Sequence, residues 1–307
     1  MWFKNILLYR FTKPFTQDPE QLSQALSEKA FKPCGSQDLS SFGWVPPLGR
    51  HGTEFVHAAN GCIMVCAKRQ DKVLPAAVVN EALAEKVEEI KVQDSRAVGG
   101  KERIELKEEI TFNLLPRAFA RSSTVFAYIA PKQGLLVVNT ASAKRAEELM
   151  SYLRETIGSL PVIPVTANNL PQHVMTHWLK EKAAPDNFEI GTECELRSPT
   201  DEGSVIRCKN QDLGSDEINA HLQADMHVSK LALEWQGGIS CIVDDQLTVK
   251  RLSFGDLIQD KLDREDAEDA AQQFDVDFTL MTAEFEGFIQ QLLQAFGGED
   301  MSDCQPQ

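Results

Sequence analysis

Runs of alternating and stripe-like apolar positions divide the first quarter of the chain. Residues 3–11 read as a strand and residues 19–30 as a helix, after which glycine and proline are dense over residues 33–52 and predict a loop. Asn60-Gly61 separates Glu54-Phe-Val-His-Ala from Cys62-Ile-Met-Val-Cys-Ala. An Asn-Gly pair between two apolar runs predicts a tight hairpin, because both residues tolerate positive φ. The sheet therefore starts antiparallel.

Beyond Pro75 the period lengthens. Val78, Val79, Ala82, Leu83, Val87 and Ile90 fall on one helical stripe, with Glu81, Glu85, Lys86 and Glu89 elsewhere. Gly99-Gly100 interrupts the pattern and residues 101–115 resume it, which predicts a helical hairpin with a polar tip over residues 94–101. Strands follow at 124–130 and 135–140, joined by Pro131-Lys-Gln-Gly134, where proline presets φ and glycine tolerates a positive one. Ala146, Leu149, Met150, Leu153 and Ile157 then form the core stripe of a helix over 143–157, with Ser142 placed to cap its start and Gly158 and Pro161 to end it.

The second half continues in the same style. A strand is expected at 205–212, then a helix opened by Ser215-Asp-Glu-Ile, a capping-box pattern with its acid at N2. Runs at 230–235, 239–243 and 247–252, separated by Gly237-Gly238 and Asp244-Asp245, predict a β-meander. Phe278, Met281, Phe285, Phe288, Ile289, Leu292, Leu293 and Phe296 form a broad apolar helix face, suited to core packing or a subunit interface. The fold class is therefore α+β, mainly antiparallel sheets with packed helices and a projecting helical hairpin. Four regions are expected: an N-terminal α/β region at 1–74, the hairpin at 75–115, a β-hairpin plus helix at 116–165 and a C-terminal α/β region at 166–307.

Composition narrows this picture in two ways. With 307 residues and 42% hydrophobic content the chain can bury a substantial core, and no apolar run reaches the roughly 18 residues of a membrane span. A soluble, unexported, cytoplasmic protein is expected. The seven cysteines are odd in number and include no CxxC pair, which suits reduced thiols. Cys62 and Cys66 share one strand face and read as small buried hydrophobes.

Charge adds the first hint of a partner. The formal net charge is -15, yet from Ile110 to Arg145 there is no Asp or Glu, while Arg117, Arg121, Lys132, Lys144 and Arg145 are present. From Gly255 onward 14 acidic residues face only Lys261 and Arg264, so most of the repulsive charge sits in one terminal segment. A basic surface able to meet a polyanion is compatible with that distribution, as is an ordinary solvated face. Lys144 and Arg145 lie in a first helical turn, where the helix dipole disfavours cations.

No catalytic constellation accompanies the charge. His173-Val-Met-Thr-His177 has i, i+4 spacing but lacks the Glu of HExxH, and no phosphate-cradling glycine motif or nucleophile elbow is present. Asp244-Asp245 reads as turn chemistry and Asp275-Val-Asp277 as part of an alternating strand with Phe274 and Phe278. The reading has no catalytic residue, no metal and no cofactor.

Several segments resemble one bacterial family in order along the chain. They are Met1-Trp-Phe-Lys-Asn, Lys32-Pro-Cys-Gly-Ser-Gln-Asp38, Gly43-Trp-Val-Pro-Pro47, Leu114-Leu-Pro-Arg-Ala-Phe119, Ala141-Ser-Ala-Lys-Arg-Ala-Glu-Glu148 and Gly158-Ser-Leu-Pro-Val162. Lys209-Asn-Gln-Asp-Leu213, Lys230-Leu-Ala-Leu-Glu-Trp235 and Gln273-Phe-Asp-Val-Asp-Phe-Thr-Leu-Met281 continue the series. Together they resemble the recombination-associated RdgC family. The resemblance implies a non-enzymatic protein whose horseshoe-shaped subunits form a homodimeric ring. The ring encircles double-stranded DNA without sequence preference and limits access of the RecA recombinase, in the nucleoid. It also implies dimer contacts at Phe119 and at Asn210 and Gln211, although the first of that pair is commonly Lys in the family and the Gly99-Gly100 tip is less basic than usual. DNA contacts are expected from Arg96, Lys101, Arg103, Lys107, Arg117, Arg121, Lys144 and Arg145. Two readings of other classes are a protein-interaction module acting on a recombination protein through the acidic C-terminal segment, and a metal-dependent nuclease using the Asp clusters.

Overall fold

A computed structural model describes residues 2–185, 187–200, 203–236, 238–255 and 270–302. Half of the acidic C-terminal charge, at residues 256–269, lies outside the described residues. The chain divides into two units: residues 1–25, 46–65 and 125–307 form one, residues 26–45 and 66–124 the other. Helices and antiparallel sheets occur together, which makes the architecture α+β.

The first sheet has seven strands in the order β2-β4-β5-β6-β1-β7, with β3 also on β4. These are β1 (Leu7–Phe11), β2 (Ser40–Val45), β3 (Val56–Ala59), β4 (Cys62–Val73), β5 (Phe119–Ala130), β6 (Leu135–Val138) and β7 (Val162–Pro164). The β3–β4 hairpin turns on Asn60 and Gly61, with φ of 50° and 70°, the left-handed pair that this dipeptide predicted. A Cβ at Gly61 would meet nothing nearer than 3.7 Å, so Gly61→Ala costs backbone strain alone. The expected loss is about 1 kcal/mol, read as a lower urea midpoint at unchanged m-value.

The second sheet has the order β12-β11-β10-β8-β9. Its members are β8 (Phe188–Arg197), β9 (Val205–Cys208), β10 (His227–Trp235), β11 (Ile239–Asp244) and β12 (Val249–Phe254). The expected meander is β10-β11-β12. Asp244 Oδ1 closes its second turn by accepting from the backbone N–H of Gln246 at 3.1 Å and Thr248 at 2.8 Å, so Asp244-Asp245 is turn chemistry.

The described helices are α1 (Pro19–Glu28), α2 (Ala76–Asp94), α3 (Gly100–Leu114), α4 (Ala143–Ile157), α5 (Pro171–Glu181), α6 (Asp216–Gln223) and α7 (Ala270–Ala295). Helix α4 forms where its stripe predicts, with Ser142 Oγ accepting from the Arg145 N–H at 3.4 Å and Ala146, Leu149, Met150 and Leu153 buried. Helix α7 supplies the main core of its unit. Its Phe285 ring lies 6.4 Å from Phe3 and 6.1 Å from Phe254, and its Phe288 ring 5.8 Å from Trp235. The apolar face is thus spent on the core, each fully buried Phe contributing about 1.5–3 kcal/mol.

Five local expectations are corrected. The 33–52 loop contains β2, whose pairing with β4 runs from Ser40↔Asp71 to Val45↔Cys66. Gly43 allows this approach, since a Cβ there would sit 2.4 Å from the Phe31 Cα. The expected strands omit β8, although Phe188, Ile190, Cys194 and Leu196 alternate with polar residues. Residues 274–278 belong to α7 and not to a strand, because Phe274 and Phe278 share a helical face against His57, at 5.0 and 5.6 Å between rings. Ser215 precedes α6 without capping it, and among the described residues its buried Oγ has no hydrogen-bond partner. Val78, placed on the α2 stripe, is exposed, and only Val79 and Leu83 of that helix are buried.

Candidate nucleic-acid interface

The acid-free window opens at Ile110, inside the C-terminal end of α3. Leu115–Arg117 form a single 3₁₀ turn with Pro116 inside it, and the chain leaves this turn extended at Ala118 to begin β5. The first four residues of β5 are exposed, and Phe119 is 86% exposed. Arg117 and Arg121 flank it, both exposed and, among the described residues, without an ion-pair partner. Residues two apart on a strand share a face, so Phe119 and Arg121 project together. An aromatic ring left in water beside uncompensated guanidinium groups is not a core element.

The helical hairpin holds its cations differently. Arg96 is bidentate to Glu102 at 2.7 and 2.6 Å and also meets Asp94 at 3.4 Å, while Lys101 stands 4.0 Å from Glu105. Arg103 and Lys107 are exposed without such partners among the described residues. They line a groove of about 810 Å³ beside Leu83, Ile104, Phe112 and Leu115. Arg117, Arg121, Arg103 and Lys107 therefore share one unit. Lys144 and Arg145 are exposed in the first turn of α4, in the other unit. Gln211 is anchored through Nε2 to Glu217 Oε2 at 2.8 Å, and Asn210 is exposed with φ of 51°. Asn is among the few side chains that adopt this left-handed conformation readily, which is a local reason for it to stand there.

A second group of cations was not expected. Glu195 on β8 is 5% exposed and its carboxylate is ringed by Arg207 Nε at 2.8 Å, Lys230 Nζ at 2.9 Å and Arg197 Nη2 at 2.9 Å. Ser229 Oγ donates to it at 3.1 Å. The cross-strand registers Glu195↔Arg207 and Lys230↔Glu195 create the cluster. The period-two pattern of residues 188–197 was the signal that could have exposed it. Burial pushes the Glu195 carboxyl up, but hydrogen bonds from Lys230, Arg207 and Arg197 more than reverse this and hold it well below the usual carboxylate range. A depressed carboxyl stabilises the fold fully above its unfolded value, near about 4.3, and loses that contribution as the pH falls below it. Urea midpoints of wild type and Glu195→Gln should accordingly differ most at neutral pH, start to converge below about pH 5 and go on converging below about pH 3.

Burial pushes the Cys62 thiol up to about 11 and the Cys66 thiol up to about 12, the opposite of an activated nucleophile. Among the described residues no group of three or more His, Cys, Asp or Glu side chains could hold a metal ion. Asp244 is already bonded to Lys250 Nζ at 2.6 Å. No described helix is long and apolar enough to cross a membrane.

Comparison with known proteins decides the family. The family model described as "Putative exonuclease, RdgC" matches residues 1–299. The recombination-associated protein RdgC of Aeromonas hydrophila is 49% identical over 302 residues, 98% of this chain and 100% of the relative. The chain belongs to the RdgC family. Other RdgC proteins, from Tolumonas auensis and Pseudomonas putida GB-1, are 48% and 45% identical over 97% and 98% of the chain and 99% of their own lengths. The curated RdgC names associate the family with recombination, whereas the description of the family model names an exonuclease.

Proposed function

We propose that this RdgC-family chain binds double-stranded DNA without sequence preference, as a homodimeric ring of two horseshoe-shaped subunits that encircles the duplex and limits RecA-mediated recombination. The observation that carries the reading is the pair Arg117 and Arg121, exposed and without carboxylate partners among the described residues, in a chain of net charge -15. Uncompensated guanidinium groups in so acidic a protein favour a polyanion at that place. Arg103, Lys107, Lys144 and Arg145 add phosphate contacts in this reading. Lys101 is nearly free to do so, whereas Arg96 must exchange Glu102 for phosphate. Phe119 anchors one dimer contact, and Asn210 and Gln211 belong to the other.

Such binding is electrostatic and topological. Backbone phosphates position the protein and no base-edge reader is invoked, so affinity falls linearly in log salt and is indifferent to sequence. In this reading the protein works in the nucleoid of the cytoplasm. Fluorescence anisotropy of a random-sequence duplex across a salt series tests this. Absence of binding at low salt would sink it and leave direct RecA binding, measured without DNA, as the surviving interaction. The description of the family model favours a second reading, an exonuclease. Incubation of an end-labelled duplex with magnesium or manganese separates the two, since the ring binder leaves the label intact.

A further inference from the structure

We propose that the outer face of the second sheet carries a phosphate-binding site, formed by Arg197, Arg207 and Lys230 around Glu195, with Lys209 at its rim. The occupant is a phosphodiester of the duplex backbone, and for that identity the inference rests on the DNA-binding reading above.

Charge arithmetic separates this cluster from a structural ion pair. Glu193 neutralises Arg251 in a bidentate pair at 2.6 and 2.9 Å, and Asp244 neutralises Lys250 at 2.6 Å. Glu195 alone, among the described carboxylates, faces three cations, at 2.8 to 2.9 Å. One carboxylate balances one of them, so a surplus of two positive charges remains among the described residues, in a protein whose total is -15. Satisfying a buried carboxylate does not require that surplus.

The cations are also accessible and already ordered. The Arg207 and Arg197 side chains are 67% and 52% exposed, although each is held by the same buried carboxylate. Only Nε of Arg207 is bonded to Glu195, which leaves its two terminal nitrogens to present the fork that matches phosphate. Anchoring by Glu195 removes rotamer freedom before a ligand arrives, so less is lost on binding. Glu193, Glu195, Arg207, Lys209, Lys230 and Arg251 border a depression of about 190 Å³, room for a tetrahedral anion. The acidic pair Glu189↔Glu234 lies at the far end of the same strands. Six residues along β8 are about 20 Å at the strand rise, which polarises this face rather than cancelling it.

The test uses the full chain, a random-sequence duplex and a salt series, with Arg197→Ala/Arg207→Ala beside wild type. The expected result is a slope flatter by roughly one to two units, at about 0.9 for each phosphate that is no longer neutralised. A double variant with native circular dichroism and wild-type slope and affinity overturns the site while leaving the DNA-binding reading intact. If the double variant does not fold, Arg207→Lys is read instead: it keeps the charge but loses the fork, and weaker binding is expected, with wild-type affinity counting against the site. If wild type binds no duplex, the functional reading fails, and inorganic phosphate is titrated against the Arg207 Nε–Hε resonance. A saturable shift there keeps the site for another phosphorylated ligand; no shift removes it.

Discussion

Arg117→Ala/Arg121→Ala should weaken duplex binding about 50-fold at 0.1 M salt and flatten the salt slope by roughly one to two units. The magnitude follows from counterion release: each phosphate left without its guanidinium removes about 0.9 from the slope, and at 0.1 M that is close to a tenfold change per phosphate. Both guanidinium groups are exposed and neither holds a carboxylate among the described residues, so the substitution breaks no ion pair of the fold. Thermal stability should accordingly stay within about 0.5 kcal/mol of wild type, as is usual for surface changes. An unchanged slope with an intact fold would remove these two residues from the interface.

Phe119→Ser should weaken subunit association by about 2 kcal/mol, roughly 30-fold in the dimer constant, while leaving the subunit folded. The two effects separate cleanly here because Phe119 is 86% exposed within the chain and supports no core contact. A buried Phe would instead cost about 3–5 kcal/mol of fold stability on truncation. Sedimentation equilibrium gives the association constant and circular dichroism the fold. The same dimer constant for variant and wild type would mean that the ring packs against nothing that matters for assembly.

Legibility along the sequence followed the range of the interactions. The β3–β4 turn could be read from Asn60-Gly61 because positive φ at two adjacent residues is a property of those residues alone. Helix α4 was legible in both bounds because cap, stripe and terminating Gly158 all lie within one short segment. Strand β2 was not, since Ser40-Ser-Phe-Gly-Trp-Val45 has weak alternation and becomes a strand by pairing with β4. Residues 274–278 carry a period-two pattern that also fits one helical face, and only the packing against His57 selects the helix.

The candidate interface divided along the same line. The lack of Asp and Glu from Ile110 to Arg145 marked Arg117 and Arg121 directly, and the structure leaves them unpaired among the described residues. The same composition could not distinguish Arg96, whose charge is taken by Glu102, from Arg103, whose charge is not. Nor could it bring Arg197, Arg207 and Lys230 to one carboxylate. Turns, helix stripes, the uneven distribution of charge and the family are written in neighbouring residues or in their order, so the chain of letters carries them unaided. Which cations are neutralised is a property of the folded molecule, because a salt bridge reaches only about 4 Å and strand register, not sequence distance, sets who stands within that reach.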